Sequence, residues 1–257
     1  MDTLQVSIEL LALLFLVAVI AGFVDTLAGG GGLITVPSLI LAGVPPVMAL
    51  GTNKLQGCMG TATSTMFMFR KGKLSWVTIK LAMMYAFCGA ILGTLSLQLV
   101  SSEVLSFVVP VVLLLIAVYF VFSAKLSLEN QKPCMTVPAY RRSIVPAIGF
   151  YDGFFGPGTG SFFSLAGVAL RGQGLLDATA SAKALNFSTN IASLIVFVVA
   201  GKIVWSIGLV MMAGQVIGAW FGAHCLFRVP LQFLRSLIVF VCLLMLARYT
   251  MQMGWFE

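Results

Sequence analysis

One stretch of this chain occurs twice, and this duplication constrains the fold more than any other feature of the sequence. The first copy covers residues 21–76 and the second covers residues 148–205. In each copy an aspartate is followed by a glycine cluster, a lysine and a closing Gly-Lys-x-x-Trp run. The offset between the copies is 127 residues at the aspartates and 129 at the lysines, so the second copy has two additional residues, which we place near residues 173–174. An internal repeat of this kind predicts two structurally similar halves.

The composition predicts that both halves lie in a membrane. The chain has 257 residues, of which 60% are hydrophobic and 9% are charged, and its mean hydropathy is +1.07. Soluble domains are about 45–50% apolar and about 25% charged, so this chain cannot cover its surface with polar groups. A spanning helix needs about 20 apolar residues, and the apolar stretches suffice for about eight passes. We therefore predict an all-α polytopic membrane protein.

The predicted protein is a single integral membrane domain of residues 1–257. Repeat one covers about residues 6–124, a polar linker about residues 125–141, and repeat two about residues 142–253. A short apolar run follows each glycine cluster, at residues 33–41 and 161–170, and neither run is long enough to span. Long helices then start at Pro46 and at Asp177, which we expect to be an N-cap. Further crossings are expected at residues 77–99, 104–122, 204–227 and 231–251.

The distribution of charge predicts orientation rather than nucleic-acid binding. The net charge is +7, and the Lys and Arg residues lie in loops between apolar stretches, where basic residues on the cytoplasmic side orient membrane proteins. The basic loop at residues 70–73 and the linker can both face the cytoplasm, with both chain termini outside. The halves are inverted if each glycine segment is a re-entrant hairpin, and parallel if it is a broken helix that passes straight through. The loop charges favour inversion.

The sequence indicates no cofactor and no metal site. The five cysteines show no CxxC spacing, and four of them lie in apolar segments, where a free cysteine packs as a small hydrophobe. His224 is the single histidine, and we expect it at the membrane interface. The sequence lacks a GxxxxGK[ST] nucleotide-binding loop, so any drive by ATP would need another chain.

The two glycine clusters predict breaks in the helical backbone at membrane depth. Such breaks are tolerated only where they are buried in protein or line a cavity. A half-helix that starts after Gly32 or near Gly160 has a positive dipole end and unpaired N–H groups that can bind an anion. Gly30, Gly31, Gly32, Gly158 and Gly160 are therefore candidate binding residues. The alternative is that the glycines only permit close packing of helices.

Two lysines occupy equivalent positions in the repeats. Lys54 lies roughly 12 Å along its helix from Pro46, and Lys183 lies roughly 9 Å from Asp177. Ionisable residues at such depth are costly and usually face an interior cavity, although a lysine can also extend its alkyl stem to the interface. The equivalent positions favour a cationic clamp where the two halves meet.

Other polar side chains complete the candidate site. Asp25 and Asp152 precede the breaks, where they can take part in proton coupling or fill a structural role by capping the backbone and pairing with the lysines. The neutral residues beside the lysines are hydrogen-bonding groups suited to an oxyanion, and helix packing is their alternative role. These neutral candidates are Thr52, Asn53, Ser181, Asn186 and Asn190.

Several runs of residues carry a resemblance to a known family. The first half contains GFVD at residues 22–25, AGGGG at 28–32 and ALGTNKLQ at 49–56. The second half contains GFYDGFFGPGTGS at 149–161, followed by Ala182-Lys183, Asn186 and Asn190. These runs resemble the TauE/SafE family of sulfite exporters and related anion carriers, and residues 151–161 are similar to the YfcA-like bacterial members. The resemblance covers nearly the whole chain. It implies a multi-pass protein of the bacterial inner membrane that moves small sulfur-containing or organic anions, such as sulfite or sulfonates.

The repeat and the resemblance together predict a secondary carrier of small anions. The expected partners are the anionic substrate and the lipid bilayer, and a homo-oligomer is left open. Movement of the halves around a site at the midplane would give alternating access. One alternative is a membrane subunit or scaffold that does not itself transport. Another is an intramembrane enzyme, which would need a nucleophile with a base or a metal cluster; the single histidine and scattered cysteines argue against it, so we expect no enzyme.

Overall fold

The computed structural model describes residues 7–101, the single positions 104 and 111, and residues 132–226. These residues form eight α-helices and no strand. The helices are α1 (Ile8–Ala28), α2 (Gly32–Leu41), α3 (Pro46–Arg70), α4 (Trp76–Leu97), α5 (Val137–Phe154), α6 (Thr159–Arg171), α7 (Leu175–Val199) and α8 (Trp205–Cys225). The crossings predicted at residues 104–122 and 231–251 lie outside the described residues, apart from positions 104 and 111.

Four of the described helices, α1, α4, α7 and α8, are long and apolar enough to cross a membrane. Their outward faces carry large apolar side chains that remain exposed. Trp76 and Trp205, the first residues of α4 and α8, are 59% and 51% exposed, and exposed Trp side chains suit the membrane–water interface. The prediction of an all-helical membrane protein is therefore confirmed. Helix α2 has 10 residues, which is too short to span.

The first helix of each half packs chiefly against the last described helix of the other half. Helix α1 lies along α8, and α5 lies along α4. Glycines make both contacts close: a Cβ atom on Gly22 would lie 3.1 Å from the backbone nitrogen of Ala219, and one on Gly149 would lie 3.1 Å from the Cα of Ala86. Helices α3 and α7 contact each other, and they also contact α8 and α4 respectively. This crossed packing brings the lysines of both halves into the interior.

Three local features differ from the sequence-based expectations. Gly174 is the N-cap of α7, and Asp177 lies inside the first turn, where a carboxylate still complements the helix dipole; the predicted N-cap was therefore wrong. Helix α6 has 13 residues against 10 in α2, so the additional residues of the second copy lie in this helix rather than in the turn after it. Helix α5 begins at Val137, within the predicted linker, because the Thr136 side chain caps it by accepting the Ala139 N–H.

Candidate functional site

The first helix break is closed by the aspartate that precedes it. Helix α1 ends at Ala28, and its C-cap Gly29 has a left-handed backbone (φ 77°) that directs the Gly29 N–H to the carbonyl oxygen of Asp25 at 2.7 Å. The Asp25 Oδ1 atom then accepts the N–H of Gly31 at 3.0 Å, just before α2 begins. Asp25 therefore caps the backbone at the break through its Oδ1 atom, which is the structural role considered for it from the sequence.

The second break is closed by different groups. Gly156 and Gly158 both have positive φ, at 96° and 84°, which glycine adopts without the steric cost of a Cβ. The Tyr151 hydroxyl donates to the carbonyl oxygen of Pro157 at 2.7 Å, and the Thr159 hydroxyl donates to that of Gly156 at 2.6 Å. The Asp152 carboxylate is not needed as a cap here, so it is available for other contacts.

The two breaks touch each other. A Cβ atom on Gly160 would lie 2.7 Å from the Cα of Gly29, so only glycine fits at this crossing. The Ser161 hydroxyl donates to the carbonyl oxygen of Ala28. A Cβ atom on Gly32 would lie 3.1 Å from the Cα of Pro157. The start of α2 and the start of α6 therefore lie side by side, although 127 residues separate their equivalent positions.

Many N–H groups at these helix starts are already bonded. The Leu33 and Ile34 N–H groups donate to the carbonyl oxygens of Gly30 and Gly31, and the Ser161 N–H donates to that of Gly158. These donors are not free for a ligand. What the helix starts offer a bound anion is the positive end of two dipoles, and side chains must supply most of the direct hydrogen bonds.

Each lysine of the repeat forms an ion pair with the aspartate of the other half. Lys54 Nζ lies 2.9 Å from Asp152 Oδ2, and Lys183 Nζ lies 3.7 Å from Asp25 Oδ2. The two lysine side chains are 2% and 1% exposed, and the two carboxylates 2% and 10%. The lysines therefore point into the protein rather than toward the membrane interface. Lys54 on α3 therefore reaches Asp152 on α5, and Lys183 on α7 reaches Asp25 on α1, so both pairs join one half to the other.

The two ion pairs differ in how fully they are hydrogen-bonded. Lys183 Nζ also donates to the backbone carbonyl oxygen of Asp25, so this lysine binds the end of α1 in two ways. Lys54 Nζ and Asp152 Oδ2 are in contact with each other, and neither atom has a further hydrogen-bond partner among the described residues. Lys54 therefore has donor capacity left beyond its ion pair, whereas Lys183 uses one more of its three N–H donors on the backbone of Asp25.

A polar cavity lies between the breaks and the Lys54–Asp152 pair. It leaves about 20 Å³ for the centres of water-sized molecules, which is room for about one water. The sequence-predicted residues that line it are Asp25, Gly32, Asn53, Lys54, Asp152, Gly158, Asn186 and Asn190. The structure thus brings eight of the candidates together around one small space.

The asparagines of the cavity are held by polar neighbours. The Thr35 hydroxyl donates to Asn53 Oδ1 at 2.6 Å, and Asn190 Nδ2 donates to Asn186 Oδ1 at 3.2 Å. With their oxygens engaged as acceptors, Asn53 and Asn186 can turn their amide N–H₂ groups toward a ligand. Asn53 Nδ2 lies beside Gly32, 3.5 Å from where a Cβ would be. Such fixed donors suit an oxyanion better than a cation.

Six candidates do not line the cavity. Thr52 Oγ1 accepts the Val204 N–H at 3.0 Å and so connects α3 to the start of α8. Ser181 is half-buried near the start of α7. The others lie in or against the breaks: they are Gly30, Gly31, Gly160 and Lys183.

Sequence reasoning missed six residues that line the cavity, namely Gly29, Gly57, Thr61, Gly156, Thr159 and Gln215. The glycines belong to the clusters or to helix α3, and their small size creates the space. Gln215 is a polar residue within the apolar helix α8, and that isolated polarity was the signal that could have identified it. Among the described residues, no group of three or more His, Cys, Asp or Glu side chains comes together that could hold a metal.

Known proteins place this architecture in a family. The chain is 41% identical to a Haemophilus influenzae protein named "Probable membrane transporter protein", over 99% of this chain and 100% of that protein. It is also 41% identical to the Escherichia coli K12 "Probable membrane transporter protein YfcA", over 95% of this chain and 91% of that one, and to a Sinorhizobium protein named "Probable membrane transporter protein ORF9", over 95% and 94%. No solved structure shows significant similarity to the chain. The family model described as Sulfite exporter TauE/SafE matches residues 14–249, and the chain therefore belongs to the TauE/SafE family.

Proposed function

We propose that this protein is a secondary transporter of small anions, of the sulfite or sulfonate type, that works by alternating access. The observation that carries the proposal is the buried lysine Lys54, which lines a polar cavity with unused hydrogen-bonding capacity. A buried ammonium group is costly unless it is paired, and an anion from solution can pair with it as a carboxylate does. The family name and the names of the relatives support transport.

The cavity is chemically suited to an anion. Lys54 supplies positive charge, the amide groups of Asn53 and Asn186 supply neutral donors, and the starts of α2 and α6 direct their positive dipole ends to the same region. The Asp25 and Asp152 carboxylates balance the lysines when no anion is present. The substrate class is therefore a small oxyanion with one or two charges.

Entry of the anion needs a rearrangement, since the cavity has room for about one water. Both ion pairs join one half of the protein to the other. Movement of the halves about the Lys183–Asp25 contact would open the cavity and separate the Lys54–Asp152 pair, which is the behaviour expected of a carrier built from two repeats. We place the protein in the bacterial inner membrane, because multi-pass apolar helices belong there and the outer membrane holds β-barrels.

The test is ligand-dependent thermal stability of the purified protein in detergent. The panel holds thiosulfate, sulfite, sulfate, methanesulfonate and acetate at matched ionic strength. A ligand that binds only the folded state raises the unfolding temperature as its concentration rises. We expect at least one sulfur oxyanion to stabilise the wild type and the Lys80→Ala variant, because Lys80 is exposed on α4 and does not line the cavity. Lys54→Ala should lose this response.

Uptake of the same radiolabelled anion into liposomes that contain the protein then tests transport. Uptake by the wild type that is lost in Lys54→Ala supports a carrier. Anion binding with no uptake would instead support a membrane subunit that works with another chain, and no response to any anion would remove the anion proposal altogether.

Inversion of the two halves is part of the proposal. The crossed packing of α1 with α8 and of α5 with α4 is compatible with inverted and with parallel halves, and the loop charges favour inversion. Reporter fusions after Lys202 distinguish the arrangements. A reporter outside the cell is expected for inverted halves, and a cytoplasmic reporter would indicate parallel halves.

A further inference from the structure

The two ion pairs lie in equivalent positions of the repeat, but their surroundings differ. Asp25 is committed to the first break: its Oδ1 caps Gly31, and its backbone oxygen accepts from Lys183. Asp152 caps nothing, because the second break is closed by the Tyr151 and Thr159 hydroxyls. A symmetric sequence motif has thus produced two pairs with different surroundings: Asp25 and Lys183 have further partners at the first break, whereas Lys54 Nζ and Asp152 Oδ2 have none beyond each other among the described residues.

The Lys54–Asp152 pair is also the one that faces the cavity with both of its residues. Lys54 and Asp152 both line the cavity, whereas Lys183 does not. A Cβ atom on Gly156 would lie 2.9 Å from Lys54 Nζ, so the ammonium group rests against the open backbone of the second break. Lys54 is therefore the lysine that an anion in the cavity can contact, and Asp152 is the group that the anion must replace.

When an anion replaces Asp152 as the partner of Lys54, the Asp152 carboxylate is left buried without a cation. Both side chains of the pair are 2% exposed, and a buried negative charge next to a bound anion is unfavourable. Taking up a proton removes the charge. The neutral carboxylic acid can then donate a hydrogen bond to the bound anion or to a neighbouring carbonyl oxygen.

We propose that Asp152 is the proton-coupling group of this carrier: an anion takes its place at Lys54 while the Asp152 carboxylate accepts one proton from the aqueous phase that the cavity then faces. The Lys183–Asp25 pair holds the first break closed throughout the cycle. This inference rests on the proposed function and assigns its coupling ion. Lys54 keeps its proton, one anion and one proton enter together, and for a monovalent anion no net charge moves.

Among the groups around the cavity, Asp152 is the carboxylate that is free to accept this proton. Lys54 from α3 and Asp25 from α1 are the charged residues that line the cavity with it, and Asp25 remains paired to Lys183. Helix α7 contributes two asparagines to the cavity lining, and α6 contributes the neutral Thr159. On α4, the titratable residues Lys80 and Cys88 are exposed, and Tyr85 packs in an apolar cluster.

The experiment counts protons taken up when an anion binds. Purified protein in weakly buffered detergent solution at neutral pH, with a pH indicator dye, is mixed with sodium thiosulfate or sodium methanesulfonate, and binding is followed in parallel by thermal stabilisation. Both anions are fully ionised at this pH, so they carry no proton of their own. The wild type should take up about one proton per anion bound. Because binding then requires a proton from solution, the affinity for the anion should fall by about tenfold for each unit by which the pH is raised.

Two matched variants locate the proton. Asp152→Asn imitates the protonated acid and should bind the anion with no proton uptake and no pH dependence. Asp177→Asn removes a half-exposed carboxylate that pairs with Lys73 and does not line the cavity, and it should keep the uptake of one proton. In liposomes, an inwardly directed proton gradient should drive methanesulfonate accumulation by the wild type and not by Asp152→Asn.

The outcomes separate this inference from the function on which it rests. Anion binding to the wild type without proton uptake overturns the coupling role of Asp152 and leaves the anion carrier standing. Proton uptake that persists in Asp152→Asn assigns the proton to another group and also overturns it. If neither anion binds the wild type, both proposals fall. If Asp152→Asn does not fold, Asp152→Ser, which also lacks the carboxyl group, takes its place.

Discussion

Lys183 binds Asp25 through both the side chain and the backbone: its Nζ lies 3.7 Å from Oδ2 and donates to the carbonyl oxygen at the end of α1. The two residues are 158 positions apart in the chain. The lysine of the second half therefore completes the helix end of the first half. This relationship makes the glycine break part of the interface between the halves, and several consequences can be measured.

Removal of the Lys183 charge should destabilise the protein. Lys183→Met leaves the Asp25 carboxylate buried without its cation, and breaking a buried pair in this way costs about 3–5 kcal/mol in the free energy of unfolding. Denaturant titration of the protein in detergent measures this loss. In the double variant with Asp25→Asn, the total loss should be smaller than the sum of the single losses by about 0.5–3 kcal/mol. Strict additivity would show that the two residues do not interact in solution.

The contact between the two breaks should reject a side chain. Gly160→Ala brings a Cβ to 2.7 Å from the Cα of Gly29, which is backbone and cannot rotate away. We expect overpacking to cost about 1–3 kcal/mol or more, seen as a lower unfolding temperature. The matched control is Gly57→Ala, also within a helix, where the nearest atom to the new Cβ is 3.6 Å away. Equal stability of the two variants would mean that the breaks do not touch.

Gly57→Ala should separate binding from stability. Alanine is favoured over glycine within a helix by roughly 0.5–1 kcal/mol, so the fold should be kept. The new methyl group occupies the cavity beside Asn190, where there is space for about one water. Anion affinity should fall by about tenfold or more, equivalent to about 1.4 kcal/mol, with Lys54 unchanged. Titration of the anion against thermal stability measures this, and undiminished affinity would place the anion elsewhere.

Thr52→Val should show the opposite pattern. The change removes the hydroxyl that accepts the Val204 N–H and keeps the shape of the side chain. An unsatisfied backbone N–H costs about 1–3 kcal/mol, so the unfolding temperature should drop. Because Thr52 does not line the cavity, anion affinity should be unchanged at a temperature where the variant is folded. If the variant instead lost anion affinity and kept its unfolding temperature, Thr52 would be a binding residue.

Much of this protein can be read from its sequence, because the relevant signals are local or repeated. Hydropathy identifies the spanning helices, Pro46 marks the start of α3, and the glycine clusters mark the breaks. The repeat identified Lys54, Lys183, Asp25 and Asp152 without any structure, since charged residues in apolar segments are rare and their recurrence at matching positions of two copies is rarer.

The tertiary structure decided which of these residues meet and what each one does. Pairing across the halves depends on how α3 and α7 pack, and nothing in a single segment encodes it. Thr52 and Asn53 are neighbours in sequence, yet a rotation of about 100° per residue along a helix directs one to the α8 start and the other to the cavity. The inequality of the two ion pairs is likewise a tertiary property, because Tyr151 closes the second break where the first half has only Val24 and must use Asp25 instead.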